Sequence, residues 1–317
     1  MFSFFKFLQK FVSNLKSNKG LWFTILAVIS ISGIFLSLYL LTHMTQTVSK
    51  DVYINMSSSY TKNYKNRVNQ KEQSLKKIAL SVETNKEFMD SIKNEKIDLT
   101  KEIITNFNNK YKENGFNSIK LNFYPAFNQI NQYRNSINSV INTNDKAFGL
   151  EVLSDGVFYV YLEPIISNDV LIGVLELKEN LNNFKSTYEK EDLLFAFLIE
   201  ERMLNRLSIK TRDGKYKDVV DTLYVQENEY NSKFIAKIKD ASKDGYKKMI
   251  DEGYLVDDLY FKSAQKVSDL EGNIIGYVII GEPIEGSGAF VNIVDNMTKT
   301  VTTVALGLVI SILLFMF

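Results

Sequence analysis

The chain of 317 residues has no cysteine, one histidine, one tryptophan and three prolines. Without cysteine there are no disulfides, no thiolate metal sites and no cysteine nucleophile. His43 alone builds neither a histidine triad nor a histidine-rich metal site. It sits just beyond the first long apolar run, where a polar residue at a membrane interface is its simplest role. Net charge is also lacking. Lys plus Arg number 38 against 37 Asp plus Glu, a balance of +1 that offers no electrostatic footprint for nucleic acid. Carboxylates are plentiful but no catalytic pairing stands out, so neither an enzyme nor a cofactor is expected.

What is present first is apolar length. Residues 21–41, LWFTILAVISISGIFLSLYLL, carry no charge; at about 1.5 Å rise per residue they reach roughly 30 Å, the thickness of a bilayer's hydrocarbon core. A retained membrane span over 21–42 is the reading. A cleaved signal peptide has a shorter apolar region and a small-residue cleavage site, and a soluble core helix would offer a polar face. Ahead of it, Lys6, Lys10, Lys16 and Lys19 accompany Phe4, Phe7, Leu8, Phe11 and Leu15 at helical spacing. Residues 1–20 are therefore expected to form a basic amphipathic segment on the cytoplasmic leaflet, which puts the material after the span outside. A second, shorter uncharged run starts at Val301, with Lys299 at its outer edge, and 289–317 is read as a helix entering a second span that the chain's last residue interrupts. Gly286-Ser-Gly288 before it lacks the strand-to-helix turn and Lys-Ser/Thr of a phosphate loop and is read as a hinge.

Between the two runs, Val48, Val52, Met56, Tyr60, Tyr64, Val68, Leu75, Ile78 and Val82 recur at mostly helical spacing, predicting one long helix over 43–85 whose Val48–Val68 stripe could join a second copy. A helical patch around Leu99–Tyr111 ends at Gly115, and Ile119–Tyr124 alternates as a strand. A helix follows over 131–142, and three strands joined by Asp/Asn/Gly turns then form an antiparallel meander. The second half is read as a helix over 191–205, a strand near 207–211, a helical mixed-charge stretch over 229–250, and two closing strands around Asp269-Leu-Glu-Gly-Asn. PIISNDVLIGVLEL from Pro164 lies against VSDLEGNIIGYVII from Val267, with Gly173 and Gly276 in the same place. A lone glycine inside a strand marks a bulge or a close backbone approach. The fold class is thus α+β, a long helix followed by two tandem modules, 86–187 distal and 188–288 proximal to the membrane.

Gln132-Tyr-Arg-Asn-Ser-Ile, the Gly149-Leu-Glu-Val strand and Pro164-Ile…Ile172-Gly-Val-Leu-Glu-Leu resemble the distal module of double Cache sensory domains. These PAS-like tandem domains belong to bacterial chemoreceptors and sensor histidine kinases. The chain departs from that pattern in the short Ala126-Phe-Asn-Gln stretch and in Val160, where the family often has arginine, and it lacks the amino-acid-binding arginine, Trp-Tyr and aspartate. The resemblance implies a sensor in a bacterial inner membrane, N-terminus inside and main domain outside, working as a homodimer in contact with lipid. Chemotaxis is the expected output, and a ligand-free scaffold on the same fold is the alternative. Arg134 is the first candidate for holding a small molecule, because a guanidinium on a covering helix binds a carboxylate bidentately. Tyr124 and Tyr133 offer aromatic walls with hydroxyls, Glu151 lies on the resembling strand, and Tyr159, Tyr161 and Glu163 share one strand face.

Overall fold

A computed structural model describes residues 19–116, 118–126, 133–284, 299–307 and 310. The chain divides into two compact units, Met1–Tyr53 with Gly288–Phe317, and Ile54–Ser287.

In the first unit, the long helix α1 (Lys19–Glu83) begins and residues 299–307 are helical. Val28, Phe35, Leu36, Tyr39 and Leu40 are exposed on α1, as are Val304 and Leu306. Among the described residues no helix is long and apolar enough to cross a membrane. The span expected at 21–42 rests in part on side chains outside the described residues, 21–27 among them. The expected basic segment lies almost wholly outside them, as do the Gly286–Gly288 hinge and most of the helix expected over 289–317.

The second unit holds two antiparallel sheets. Beyond α1 come α2 (Lys86–Lys93), whose first turn is capped by the Asn85 side chain, and α3 (Ile97–Glu113), which ends before Gly115 in the left-handed region. Then follow β1 (Ile119–Pro125), α4 (Asn135–Thr143), β2 (Ala147–Leu153), β3 (Gly156–Ser167) and β4 (Val170–Asn180). The four strands pair in the order β1-β4-β3-β2. Strand alternation gives this sheet two buried faces. Tyr161, Leu175, Leu177 and Leu121 pack with Leu75, Ala79 and Val82 of α1 and with Phe88, Ile92 and Ile104 of α2 and α3. Val160, Leu162 and Val174 pack with Ile137 and Val140 of α4 on the other side.

The remaining elements are α5 (Asn183–Glu189), β5 (Leu194–Glu200), α6 (Glu201–Leu204), α7 (Ile209–Arg212), β6 (Tyr216–Val220), β7 (Leu223–Gln226), α8 (Ser232–Lys239), α9 (Lys243–Glu252), β8 (Tyr254–Val256), β9 (Tyr260–Ser268) and β10 (Ile274–Pro283). Their sheet runs β6-β7-β5-β10-β9-β8. Here the sequence reading needs correction. Of the helix expected over 191–205, residues 194–200 are strand β5 and only 201–204 are helical, as α6, while 207–211 holds a capped helical turn instead of a strand. Leu194-Phe-Ala-Phe-Leu-Ile is buried on both faces in the middle of a sheet, and such an unbroken apolar run has no period to separate strand from helix. The mixed-charge stretch is helical in two pieces, α8 and α9, split by the cap of Ser242.

The repeated glycines behave alike. A Cβ on Gly173 would stand 2.6 Å from the Tyr124 carbonyl oxygen, and one on Gly276 would stand 2.0 Å from that of Leu198. Both sit beside register shifts in their hairpins, Ile165/Ile166 and Ile274/Gly276. The stripe on α1 is used internally over its second half: Tyr64 is buried in a core that joins Val152 and Tyr159 of the first sheet to Phe195, Ile199 and Val278 of the second, with Tyr60 and Val68 packed against it. Tyr64 is therefore closed to a second copy, while Tyr60 and Val68 are half-buried.

Candidate functional site

Four elements meet around Arg134. It is the N-cap residue of α4, extended at φ −63° and ψ 158°, so its side chain leaves the helix start toward the sheet. Glu151 stands on β2, and Asn122 on β1 lies across from Glu176 on β4 in register. The Arg134 Nε donates to both Glu151 oxygens at 3.0 and 3.1 Å, Nη2 donates to Glu176 Oε1, and Nη1 donates to the Tyr124 hydroxyl at 3.3 Å. Glu176 Oε2 also accepts from Asn122 Nδ2 at 2.7 Å and from the Tyr124 hydroxyl at 3.0 Å, while Ser136 donates to Glu151 at 2.7 Å. The Tyr133 ring stands edge-on to Tyr124 with centroids 5.3 Å apart, and its hydroxyl donates to the Pro125 carbonyl at 3.1 Å.

One guanidinium thus faces two carboxylates, both satisfied, with Glu176 only 1% exposed. Burial works against the Arg134 charge, but Glu176 and Glu151 more than offset it and hold its pKa above the ordinary value. The Tyr124 hydroxyl is pushed up to about 12 by burial and by the charge of Glu176, against the pull of Arg134. Of the candidate residues, Arg134, Tyr124, Tyr133 and Glu151 come together, with Arg134 turned to the chain's own carboxylates. What sequence reasoning missed is the hub, Glu176. Its signal was a lone carboxylate in the apolar strand after Gly173, on the face of Val174.

Tyr159, Tyr161 and Glu163 are elsewhere. Strand alternation turns them to the opposite face, under α1, where the Tyr159 hydroxyl meets that of Tyr64 at 2.6 Å and Tyr161 donates to Glu163. Both rings are fully buried, so they serve the seam between helix and sheet rather than the Arg134 cluster.

Beside the cluster lies a cleft of about 570 Å³ between α2–α3 and the edge strand β1. Ile92, Ile104, Leu121 and Phe123 form its apolar floor, and Tyr124 and Tyr133 close the end next to Arg134. That volume is within the range of small-molecule sites. Among the described residues no group of three or more His, Cys, Asp or Glu could hold a metal.

No protein-family model matches this chain, and no curated protein does. Solved structures do. The sensor domain of the V. cholerae histidine kinase DctB is 12% identical with a TM-score of 0.41, over 73% of this chain and 96% of that one. The ligand-binding domain of the Campylobacter jejuni chemoreceptor Tlp3, in complex with L-norvaline, is 12% identical with a TM-score of 0.39, over 77% and 93%. That of the Pseudomonas fluorescens chemoreceptor CtaA, in complex with L-serine, is 10% identical with a TM-score of 0.37, over 73% and 98%. All three are sensor or ligand-binding domains of bacterial receptors.

Proposed function

We propose that the chain is the extracytoplasmic sensory part of a membrane receptor, without catalytic activity, in which a small molecule enters the cleft beside β1. The observation that carries this reading is the apolar cleft ending on Tyr124, which belongs to the Arg134–Glu151–Glu176 network. Occupying the cleft would press on a network that ties β1, β2, β4 and α4 together. Leu150, next to Glu151, is bonded to Leu270 in the turn between β9 and β10 of the other sheet, and β10 leads to the C-terminal segment. A change at the network therefore has a packed route out of the module, and α1 runs unbroken from Lys19 to Glu83 as a second one. Membrane spans at 21–42 and from Val301 fit the exposed Val28, Phe35, Leu36 and Leu40 and the exposed Val304 and Leu306, since a helix bare of polar cover requires an apolar surrounding. A bacterial inner membrane, a cytoplasmic N-terminus, a homodimer and a chemotactic output complete the reading.

The test is a thermal-shift screen of the full chain in detergent against a metabolite library. Binders raise Tm, at a given concentration more so the tighter they bind, and slow amide exchange over residues 119–126. One observation favours the scaffold reading instead: the carboxylates around Arg134 are already satisfied without a ligand. A screen without any binder, together with crosslinking that captures a stoichiometric protein partner, would decide for the scaffold.

A further inference from the structure

The edge of β1 shows what kind of molecule the cleft accepts. Alternate residues of an antiparallel edge strand turn their backbone N–H and C=O away from the neighbouring strand. In β1 the outward residues are the odd-numbered ones. Leu121 donates its N–H to Asn108 Oδ1 at 2.8 Å and accepts from Asn108 Nδ2 at 3.0 Å, whereas Ala126 donates inward to the Ile172 carbonyl at 2.8 Å. One side-chain amide thus occupies the outward pair of Leu121 as a strand would. Phe123 is the next outward residue, and it lines the cleft. Among the described residues no group takes the position beside Phe123 that Asn108 takes beside Leu121.

The other polar groups of the lining are engaged. The Thr100 hydroxyl bonds the Lys96 carbonyl and Ser91, Thr105 bonds the Lys101 carbonyl, Tyr124 bonds Glu176, and Tyr133 bonds Pro125. Glu95 and Lys101 stand exposed on the rim with opposite charges. Behind Tyr124, three of the five Arg134 N–H groups are used, and its charge is outnumbered by two carboxylates. A carboxylate entering the cleft would find one N–H donor at Phe123, a carbonyl oxygen beside it, and a local excess of negative charge.

We infer that the cleft takes a small uncharged molecule, an apolar ring or short chain bearing one amide-type donor and acceptor pair, which docks on the backbone of Phe123 as Asn108 docks on Leu121. This inference rests on the sensory reading and specifies its ligand class. It replaces the carboxylate expected from Arg134 with a neutral amide.

Benzamide and benzoate have nearly one shape and differ in charge and donor. Titrated against the full chain in detergent, benzamide binds and slows amide exchange in the 119–125 segment, while benzoate binds at least about tenfold more weakly. Ile104→Trp fills the floor and abolishes benzamide binding. Thr105→Trp, on the exposed rim of α3, blocks the same cleft without touching the core and guards against a folding defect in the first variant. Equal binding of the two probes, benzamide binding that survives both tryptophans, or no benzamide binding overturns the inference. The sensory reading outlives that result if another library compound binds and protects residues 119–126, and falls with it if none does.

Discussion

The backbone N–H of Leu270 donates to the carbonyl of Leu150 at 3.1 Å, so a turn of one sheet is bonded to the edge strand of the other. Asp269 bridges Leu150 in parallel and is held by Arg206 at 3.2 Å, and its own carboxylate accepts from the N–H groups of Glu271 and Asn273. Gly149 makes room for this seam. A Cβ there would stand 2.7 Å from Leu270 Cδ2, the far end of a flexible side chain. Gly149→Ala is therefore expected to lower stability by less than about 1 kcal/mol as Leu270 turns aside, and Gly149→Val by about 2 kcal/mol. Hydrogen exchange checks the mechanism: only the valine variant accelerates exchange around Leu270.

Arg134 and Glu176 should behave as one unit. Truncating one partner of a buried ion pair leaves the other uncompensated, which costs about 3–5 kcal/mol in a dry site. A quarter of the Arg134 side chain is exposed, so water takes over part of the loss, and Arg134→Met is expected to cost about 2–3 kcal/mol. Glu176→Gln retains much of the hydrogen bonding and costs less. In the double variant only Glu151, rather than both carboxylates, is left without its cation, so its loss falls short of the sum by more than about 1 kcal/mol. Additive losses in urea titrations would show that the two residues act separately.

Tyr64 on α1 and Tyr159 on β3 test the opposite face. Burial pushes the Tyr64 hydroxyl up to about 12 despite its bond to Tyr159, and burial first and Tyr64 second hold Tyr159 well above its usual value. Both are neutral near pH 7, one donating to the other. Tyr159→Phe leaves a buried hydroxyl unmatched and costs about 1–2 kcal/mol, whereas Tyr64→Phe with Tyr159→Phe removes both and costs less than the two single changes summed.

Local pattern carried the elements whose period matches their surroundings. The amphipathic stripe of α1 and the alternating β1 were readable, as were the Asp/Asn/Gly turns of the meander, because each shows one buried face or one compulsory backbone conformation. Gly173 and Gly276 were readable as close approaches for the same reason. The strand β5 was not, since burial on both faces erases alternation. The site divides along the same line. Arg134, Tyr124 and Tyr133 stand out as polar or aromatic residues beside an apolar helix, but which acid Arg134 meets depends on β4 pairing with β1. The cleft depends on α3 packing along an edge strand, a contact no short window contains. Tyr159 and Tyr161 mislead for a simple reason: a strand pattern states which residues share a face, not which face meets solvent.

The end of α1 supplies a pH dependence. Glu83 is its last residue, and burial first and the charge of Glu163 second raise its pKa above the usual carboxylate value. A carboxyl that holds its proton more firmly in the folded chain than in the unfolded chain makes the folded state bind more protons, so stability falls as pH rises through the raised value. The relative stabilisation is complete below the ordinary carboxylate range and lost above the raised one. Glu83→Gln removes the charge that is unfavourable at neutral pH, beside Glu163 and at a helix C-terminus where the dipole already disfavours an anion. The side chain is half-buried and partly screened by solvent, so the expected gain is small, about 1–2 °C in Tm at pH 7. Near pH 3 the wild-type side chain is itself neutral and the two proteins should melt together. A gain of equal size at both pH values would assign the effect to packing at the helix end rather than to the Glu83–Glu163 repulsion.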